Sequence, residues 1–167
     1  SRKMILLRSF VFNVGFYTGT LVLMIVFLPI LILDRKVLPR CGHVWSSVLR
    51  WWLSVAVGVR VEIRGEIPSG PCLIAAKHQS AWEAIEFLRL LPDACFVLKR
   101  ELTWIPVFGW YISGNRQIVV DRSGGVRALK RMLGEAQIAL NAGRQIVVFP
   151  QGTRVEPGVA KAYQPGI

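Results

Sequence analysis

Between Arg8 and Asp34 the chain carries no charge, and from Phe10 it reads FVFNVGFYTGTLVLMIVFLPILIL, interrupted by little more polar than Asn13, Thr18 and Thr20. As a helix rising about 1.5 Å per residue, that run reaches roughly 36 Å, enough to cross a hydrocarbon layer about 30 Å thick. It is longer than the apolar core of a cleaved signal, and no small-residue cleavage site follows it. Arg2, Lys3 and Arg8 precede the run, and Arg35, Lys36 and Arg40 follow it. Orientation rules need a charge asymmetry between the flanks, and here there is none. Two arrangements fit. One is a hairpin that dips into one leaflet, bends at Pro29 and returns through residues 43–58, HVWSSVLRWWLSVAVG, with Trp45, Trp51 and Trp52 at headgroup level. The other is a tilted spanning helix followed by an interfacial one. Both make residues 1–58 a membrane-embedded helical segment.

The charge balance supports a lipid context. Lys and Arg total 21 against 10 Asp and Glu, a formal charge of +11, yet 53% of residues are hydrophobic and the mean hydropathy is +0.44. A chain both basic and apolar suits an anionic membrane surface or an anionic lipid, and argues against nucleic acid. Cys41, Cys72 and Cys95 form no CxxC pair, and the histidines are His43 and His78 alone. Neither a metal site nor a disulfide framework is expected, and the free thiols suit a reducing compartment.

Beyond Gly58 the pattern changes. Arg60–Arg64 alternates polar and apolar residues, as a half-exposed strand does; residues 72–76, 94–98, 117–120 and 144–149 read as further strands. Residues 81–91 and 103–112 read as helices. A third helix is expected over 124–141, with Val126, Leu129, Leu133, Ala136 and Leu140 on its apolar face and Gly143 ending it. Strands alternating with helices predict an α/β domain over residues 59–167, a mostly parallel sheet flanked by helices. The ends at Ser1 and Ile167 lead to the expectation of a longer protein with a further C-terminal portion.

In such domains chemistry collects where strands end. His78 lies there, in KHQSAWE, with Glu83 five residues on. Neutral imidazole is a suitable base for taking a hydroxyl proton near pH 7, an effect worth about 10²–10⁴ in rate. A carboxylate on its other nitrogen would fix the tautomer. The same letters have a plainer meaning: Ser80-Ala-Trp-Glu83 is also a capping box, worth roughly 1 kcal/mol at a helix start. Spacing leaves both meanings of Glu83 open.

Four blocks in order carry a resemblance. His78-x4-Glu83, the segment Lys99-Arg-Glu-Leu-Thr-Trp-Ile-Pro-Val-Phe-Gly-Trp110, the stretch Gly114–Arg122, and Phe149-Pro-Gln-Gly-Thr-Arg154 resemble the successive motifs of the glycerolipid acyltransferase family, which includes the 1-acyl-glycerol-3-phosphate acyltransferases. The resemblance implies His78 as catalytic base with Glu83 beside it. It also implies that Arg122, Gly152, Thr153 and Arg154 bind the acceptor's phosphate, with Lys99 and Gln151 nearby. Guanidinium groups suit that task because they hold phosphate through paired hydrogen bonds. Two letters depart from the family: Glu83 replaces Asp, one methylene longer, and Gln151 replaces Glu, losing a charge. Trp104, Phe108, Trp110 and Tyr111 either line an acyl-chain tunnel or form ordinary core, while Arg127, Lys130 and Arg131 read as a solvated helix face.

The implied reaction moves an acyl chain from a thioester of coenzyme A or acyl carrier protein, as substrate rather than cofactor, to the free hydroxyl of lysophosphatidic acid. Soluble donors imply a site facing the cytoplasm, at a bacterial inner membrane. Ser80 lacks the elbow motif of a nucleophile. A lyso-aminolipid or glycerol-3-phosphate as acceptor, or an inactive lipid-binding protein, are the competing readings.

Overall fold

In the computed structural model, residues 2–163 are described, and the chain divides into two compact units, Ser1–Glu66 and Ile67–Ile167. In the first unit, helix α1 (Arg2–Leu33) and helix α2 (Leu38–Val57) lie antiparallel. The antiparallel sense follows from two contacts: the Trp45 indole donates to the Thr20 hydroxyl at 3.1 Å, and the Trp52 indole donates to the Phe12 carbonyl at 3.1 Å. Gly15 faces the Trp52 ring so closely that a Cβ would overlap it. The chain does not reverse at Pro29, which sits inside α1. It reverses at Asp34–Val37, where the Asp34 carboxylate accepts from the Lys36 N–H at 3.0 Å, and α2 starts at Leu38 rather than at 43. Pro39 falls in the first turn of α2, where its missing N–H costs nothing. Helix α1 is long and apolar enough to cross a membrane, and Leu31 is its one buried residue among those described.

The expected strand at Arg60–Arg64 is not formed. Alternation is necessary for a strand but not sufficient, because a strand also needs a neighbour to complete its hydrogen bonds. Here Glu62 pairs with Arg64, Arg50 donates to the Val61 carbonyl, and Ile63 stays exposed, so no apolar face is buried.

The second unit is a parallel sheet with a helix on each face. Its strands are β1 (Cys72–Ala75), β2 (Ala94–Lys99), β3 (Ile118–Val120) and β4 (Gln145–Val148), in the spatial order β1-β4-β2-β3, and each neighbouring pair is parallel. Parallel pairing needs crossover connections. Helices α3 (Trp82–Leu90), α4 (Phe108–Gly114) and α5 (Gly125–Asn141) lie in those connections. β4 is central and buried throughout, as a strand covered on both faces should be. Its side chains alternate: Ile146 and Val148 join Cys95, Ile118, Met132 and Ala139 against α5, whereas Val147 joins Leu91, Ala94 and Phe96 on the α3 side. Phe149 continues the alternation towards α3. β1 is an edge strand with Leu73 exposed, not the fully buried strand its composition suggests.

Two helices depart from expectation. The core face of α5 is Leu129, Met132, Ala136, Ala139 and Leu140, while Val126 and Leu133 are exposed. The sequence offers two overlapping apolar stripes, and the sheet takes the one that includes the small Ala139. Its C-terminus is as expected: Gly143 takes φ +82°, its N–H reaches Leu140, and the Arg144 N–H reaches Ala139, a Schellman arrangement. The expected helix over 103–112 is split. A 3₁₀ turn covers Arg100–Trp104, Pro106 interrupts, and α4 begins at Phe108. Gly109 packs against the Thr103 carbonyl with no room for a Cβ, which accounts for a glycine there. Trp104, Phe108 and Trp110 are exposed and Tyr111 is half-buried, so the first three are not core within this unit.

Candidate active site

β1 ends at Ala75, and the chain runs through Lys77 to His78 before α3 begins. His78 Nδ1 lies 2.8 Å from Glu83 Oε1, with both side chains about four-fifths buried (20% and 23% exposed). An ionised carboxylate only accepts, so Nδ1 carries the proton in this pair, and in the neutral imidazole Nε2 is the nitrogen that keeps a lone pair.

Glu83 does more than face the imidazole. Its Oε1 accepts the Gln79 N–H at 2.7 Å and the Ser80 N–H at 2.9 Å, and its Oε2 accepts the Ser80 hydroxyl at 2.6 Å. The Ser80 oxygen in turn accepts from the Trp82 N–H at 3.0 Å. One carboxylate therefore both caps the start of α3 and holds the imidazole. The longer side chain of Glu, compared with Asp, still reaches the ring. Burial alone would raise the Glu83 pKa. The hydrogen bonds from the Ser80 hydroxyl, the Ser80 N–H and His78 outweigh burial and hold it below the ordinary carboxylate range. Ser80 is tied to this carboxylate rather than to an imidazole, which argues against it as a nucleophile.

β4 lies beside β1, so the turn after β4 meets His78. Pro150 occupies the second position of that turn, and the Gly152 N–H closes it on the Phe149 carbonyl at 2.9 Å. Gly152 has φ +68°, so at rest it supplies a left-handed bend, and its N–H is already engaged. Gln151 is 3% exposed, and its Oε1 accepts the His78 N–H at 3.3 Å. The side chain expected beside the acceptor is thus buried against the histidine's backbone. The Val155 N–H donates to the His78 carbonyl at 2.7 Å, and the Phe149 ring stacks on the imidazole at 4.3 Å between centroids and 24° between planes. Sequence reasoning did not single out Val155, and it carried Phe149 only as the first letter of the Phe149–Arg154 block, with no role for its ring. For Phe149 the available signal was its place in the β4 alternation, two residues after Val147.

The cations sit along the carboxyl ends of the other strands. Thr153 and Arg154 follow β4, Lys99 ends β2, and Arg122 follows β3; all four are exposed. Among the described residues, the side chains of Lys99, Arg122 and Arg154 make no hydrogen bond or ion pair with protein. Their strands are neighbours, so in strand order the three form a cationic row beyond the carboxyl ends of β4, β2 and β3. Arg100 is different. It pairs with Asp121 at 2.6 Å and lies 5.7 Å from the Trp104 ring centroid. Asp121 also accepts from the Ser123 hydroxyl and N–H, bonds that hold its pKa low. This brace ties the ends of β2 and β3 together next to Arg122.

A parallel sheet with a half-buried histidine–carboxylate pair at one strand end is the setting in which residues 58–167 match the family model described as Acyltransferase. The chain belongs to the acyltransferase family. It is 36% identical over 124 residues to a 1-acyl-sn-glycerol-3-phosphate acyltransferase of Pseudomonas aeruginosa, covering 73% of this chain and 48% of that protein. It is 34% identical over 112 residues to a lyso-ornithine lipid O-acyltransferase of the same organism, covering 65% and 42%. The crystal structure of the 1-acyl-sn-glycerophosphate (LPA) acyltransferase PlsC of Thermotoga maritima superimposes with a TM-score of 0.62 at 27% identity, covering 97% of this chain and 65% of that one. The chain spans about half the length of the curated relatives it matches.

Proposed function

We propose that this chain carries the catalytic core of an O-acyltransferase that converts lysophosphatidic acid into phosphatidic acid. The observation that carries the reading is the 2.8 Å contact between His78 Nδ1 and Glu83, which leaves Nε2 as a base at the edge of a sheet whose neighbouring strand ends bear unengaged cations. In the reaction, Nε2 takes the proton of the acceptor's free hydroxyl as its oxygen attacks the thioester carbonyl. Glu83 stabilises the imidazolium that forms. Collapse of the tetrahedral intermediate breaks the C–S bond, and the imidazolium returns the proton to the departing thiolate. No covalent enzyme intermediate is needed. Arg122 and Arg154, with Lys99 and Thr153, hold the acceptor's phosphate by charge-assisted hydrogen bonds.

The donor is an acyl thioester of coenzyme A or acyl carrier protein, consumed as a substrate, so no resident cofactor is invoked. The apolar α1 and its partner α2 keep the protein at the bilayer, where the acceptor resides, and the soluble donors place the site on the cytoplasmic side of a bacterial inner membrane. A phosphate-free acceptor is the second reading, favoured by the similarity to a lyso-ornithine lipid O-acyltransferase.

The decisive experiment gives the full-length protein a panel of lysolipids with both thioester donors, alongside His78→Ala. Acyl transfer to lysophosphatidic acid is expected, falling at least about 10²-fold in the variant. A folded His78→Ala protein with undiminished transfer would sink the proposal. A preference for lyso-ornithine lipid would move it to the second acceptor.

A further inference from the structure

A hydrogen bond fixes a point, not a plane. With Glu83 alone on Nδ1, the two side-chain torsions of His78 can still turn together and tilt the ring while that hydrogen bond is kept. That motion carries Nε2 away from the hydroxyl of an acceptor whose phosphate the cations hold. The second constraint comes from the strand next door. Parallel pairing of β1 with β4 runs Ala75 beside Val148, so the residues just beyond each strand meet. Alternation along β4 then turns Phe149 to the α3 side, where its ring lies 4.3 Å from the imidazole at 24°. The same turn holds the His78 backbone on both sides, through Gln151 Oε1 on its N–H and the Val155 N–H on its carbonyl.

We propose that Phe149 is a positioning residue that fixes the plane of the His78 imidazole and so aims Nε2. The inference rests on the acyl-transfer reading with His78 as base. On this proposal Phe149 acts through the imidazole, so its loss is expected to fall on turnover rather than on binding. Misaiming a general base is costly because proton transfer requires hydrogen-bond geometry.

The test compares Phe149→Leu and Phe149→Met, which keep apolar volume but remove the flat face, with Phe149→Tyr, which keeps it. The two aliphatic variants are expected to lose about tenfold in kcat with KM for both substrates unchanged, and the tyrosine variant to recover to within about twofold. A second readout separates aim from fold. These 167 residues contain two histidines, His43 and His78, and the His78 resonances of histidine-labelled protein are identified as those that His78→Ala removes. A ring stacked face-on shields its neighbour. The His78 resonances are therefore expected upfield in the parent, displaced downfield in the aliphatic variants, and restored by tyrosine. Two aliphatic residues guard against one of them failing to fold.

An aliphatic variant with parental kcat, or with an unmoved His78 resonance, overturns the proposal. So does a tyrosine variant as slow as leucine. If His78→Ala is inactive while Phe149→Leu is unimpaired, only the positioning role falls. If His78→Ala stays active, the acyl-transfer reading falls and takes this one with it.

Discussion

The two ends of the candidate site are built differently. At the β1 end, the groups around His78 are engaged with one another: Glu83 accepts from the ring, from Ser80 and from Gln79, and Gln151 and Val155 hold the histidine's backbone. Across β4, β2 and β3, by contrast, Arg154, Lys99 and Arg122 are exposed, and their side chains make no hydrogen bond or ion pair among the described residues. On the proposed function, the difference matches two physical tasks. Proton transfer needs geometry set in advance, because reorganisation during the reaction adds to the barrier. Holding an anion needs cations that are not already satisfied, because a guanidinium paired within the protein must break one contact to make another. Arg100, locked to Asp121, shows what a structural cation looks like on the same edge.

The contrast can be attacked from its strongest prediction downwards. Glu83→Gln is expected to lower kcat by about 10²-fold or more, with KM little changed, since the amide cannot stabilise the imidazolium. Steady-state kinetics would check this, and a loss under about threefold would reduce Glu83 to a helix cap. Arg154→Ala is expected to raise KM for a phosphate-bearing acceptor by about tenfold and leave kcat nearly intact, the pattern for lost ground-state binding. Were kcat to fall instead, the cationic row would belong to the preset chemistry. Asp121→Ala, which frees Arg100, should change KM by no more than about threefold, because exposed ion pairs contribute little.

A final prediction concerns pH. The folded-state pKa of Glu83 is lowered, so the carboxylate stabilises the fold fully above the ordinary range near 4.3 and progressively less as pH falls through the lowered value. The gap in unfolding midpoint between the parent and Glu83→Gln should therefore narrow on acidification. A gap that widened would mean the carboxylate is not held ionised.

How much of this could be read from the letters depends on distance along the chain. The His78–Glu83 pairing spans five positions and coincides with a helix start, so spacing presented it, although spacing could not say that one carboxylate would serve both roles. The strands β2 and β4 and the ends of α5 were legible from apolar runs and from Gly143. What remained hidden was partnership between remote segments. Phe149 and Gln151 meet His78 only because β4 inserts between β1 and β2, a crossover order that periodicity does not encode. Arg60–Arg64 fails as a strand for the matching reason, having no neighbour. The outer face of α5 was misjudged because Val126 and Leu133 are apolar letters on a helix whose sheet-facing side was already filled.

The seat of Trp52 over Gly15 has a consequence for how the first unit holds together. In water two apolar helices associate by excluding solvent, but lipid tails are as apolar as leucine and offer no such drive. Close contact at a residue without a side chain, together with indole bonds to the Phe12 carbonyl and the Thr20 hydroxyl, is a form of cohesion that does not depend on the surrounding medium. The pair is keyed as well as glued. Lengthening α1 by one residue between Gly15 and Thr20 would turn one contact about 100° from the other, and no sliding of the helices could restore both.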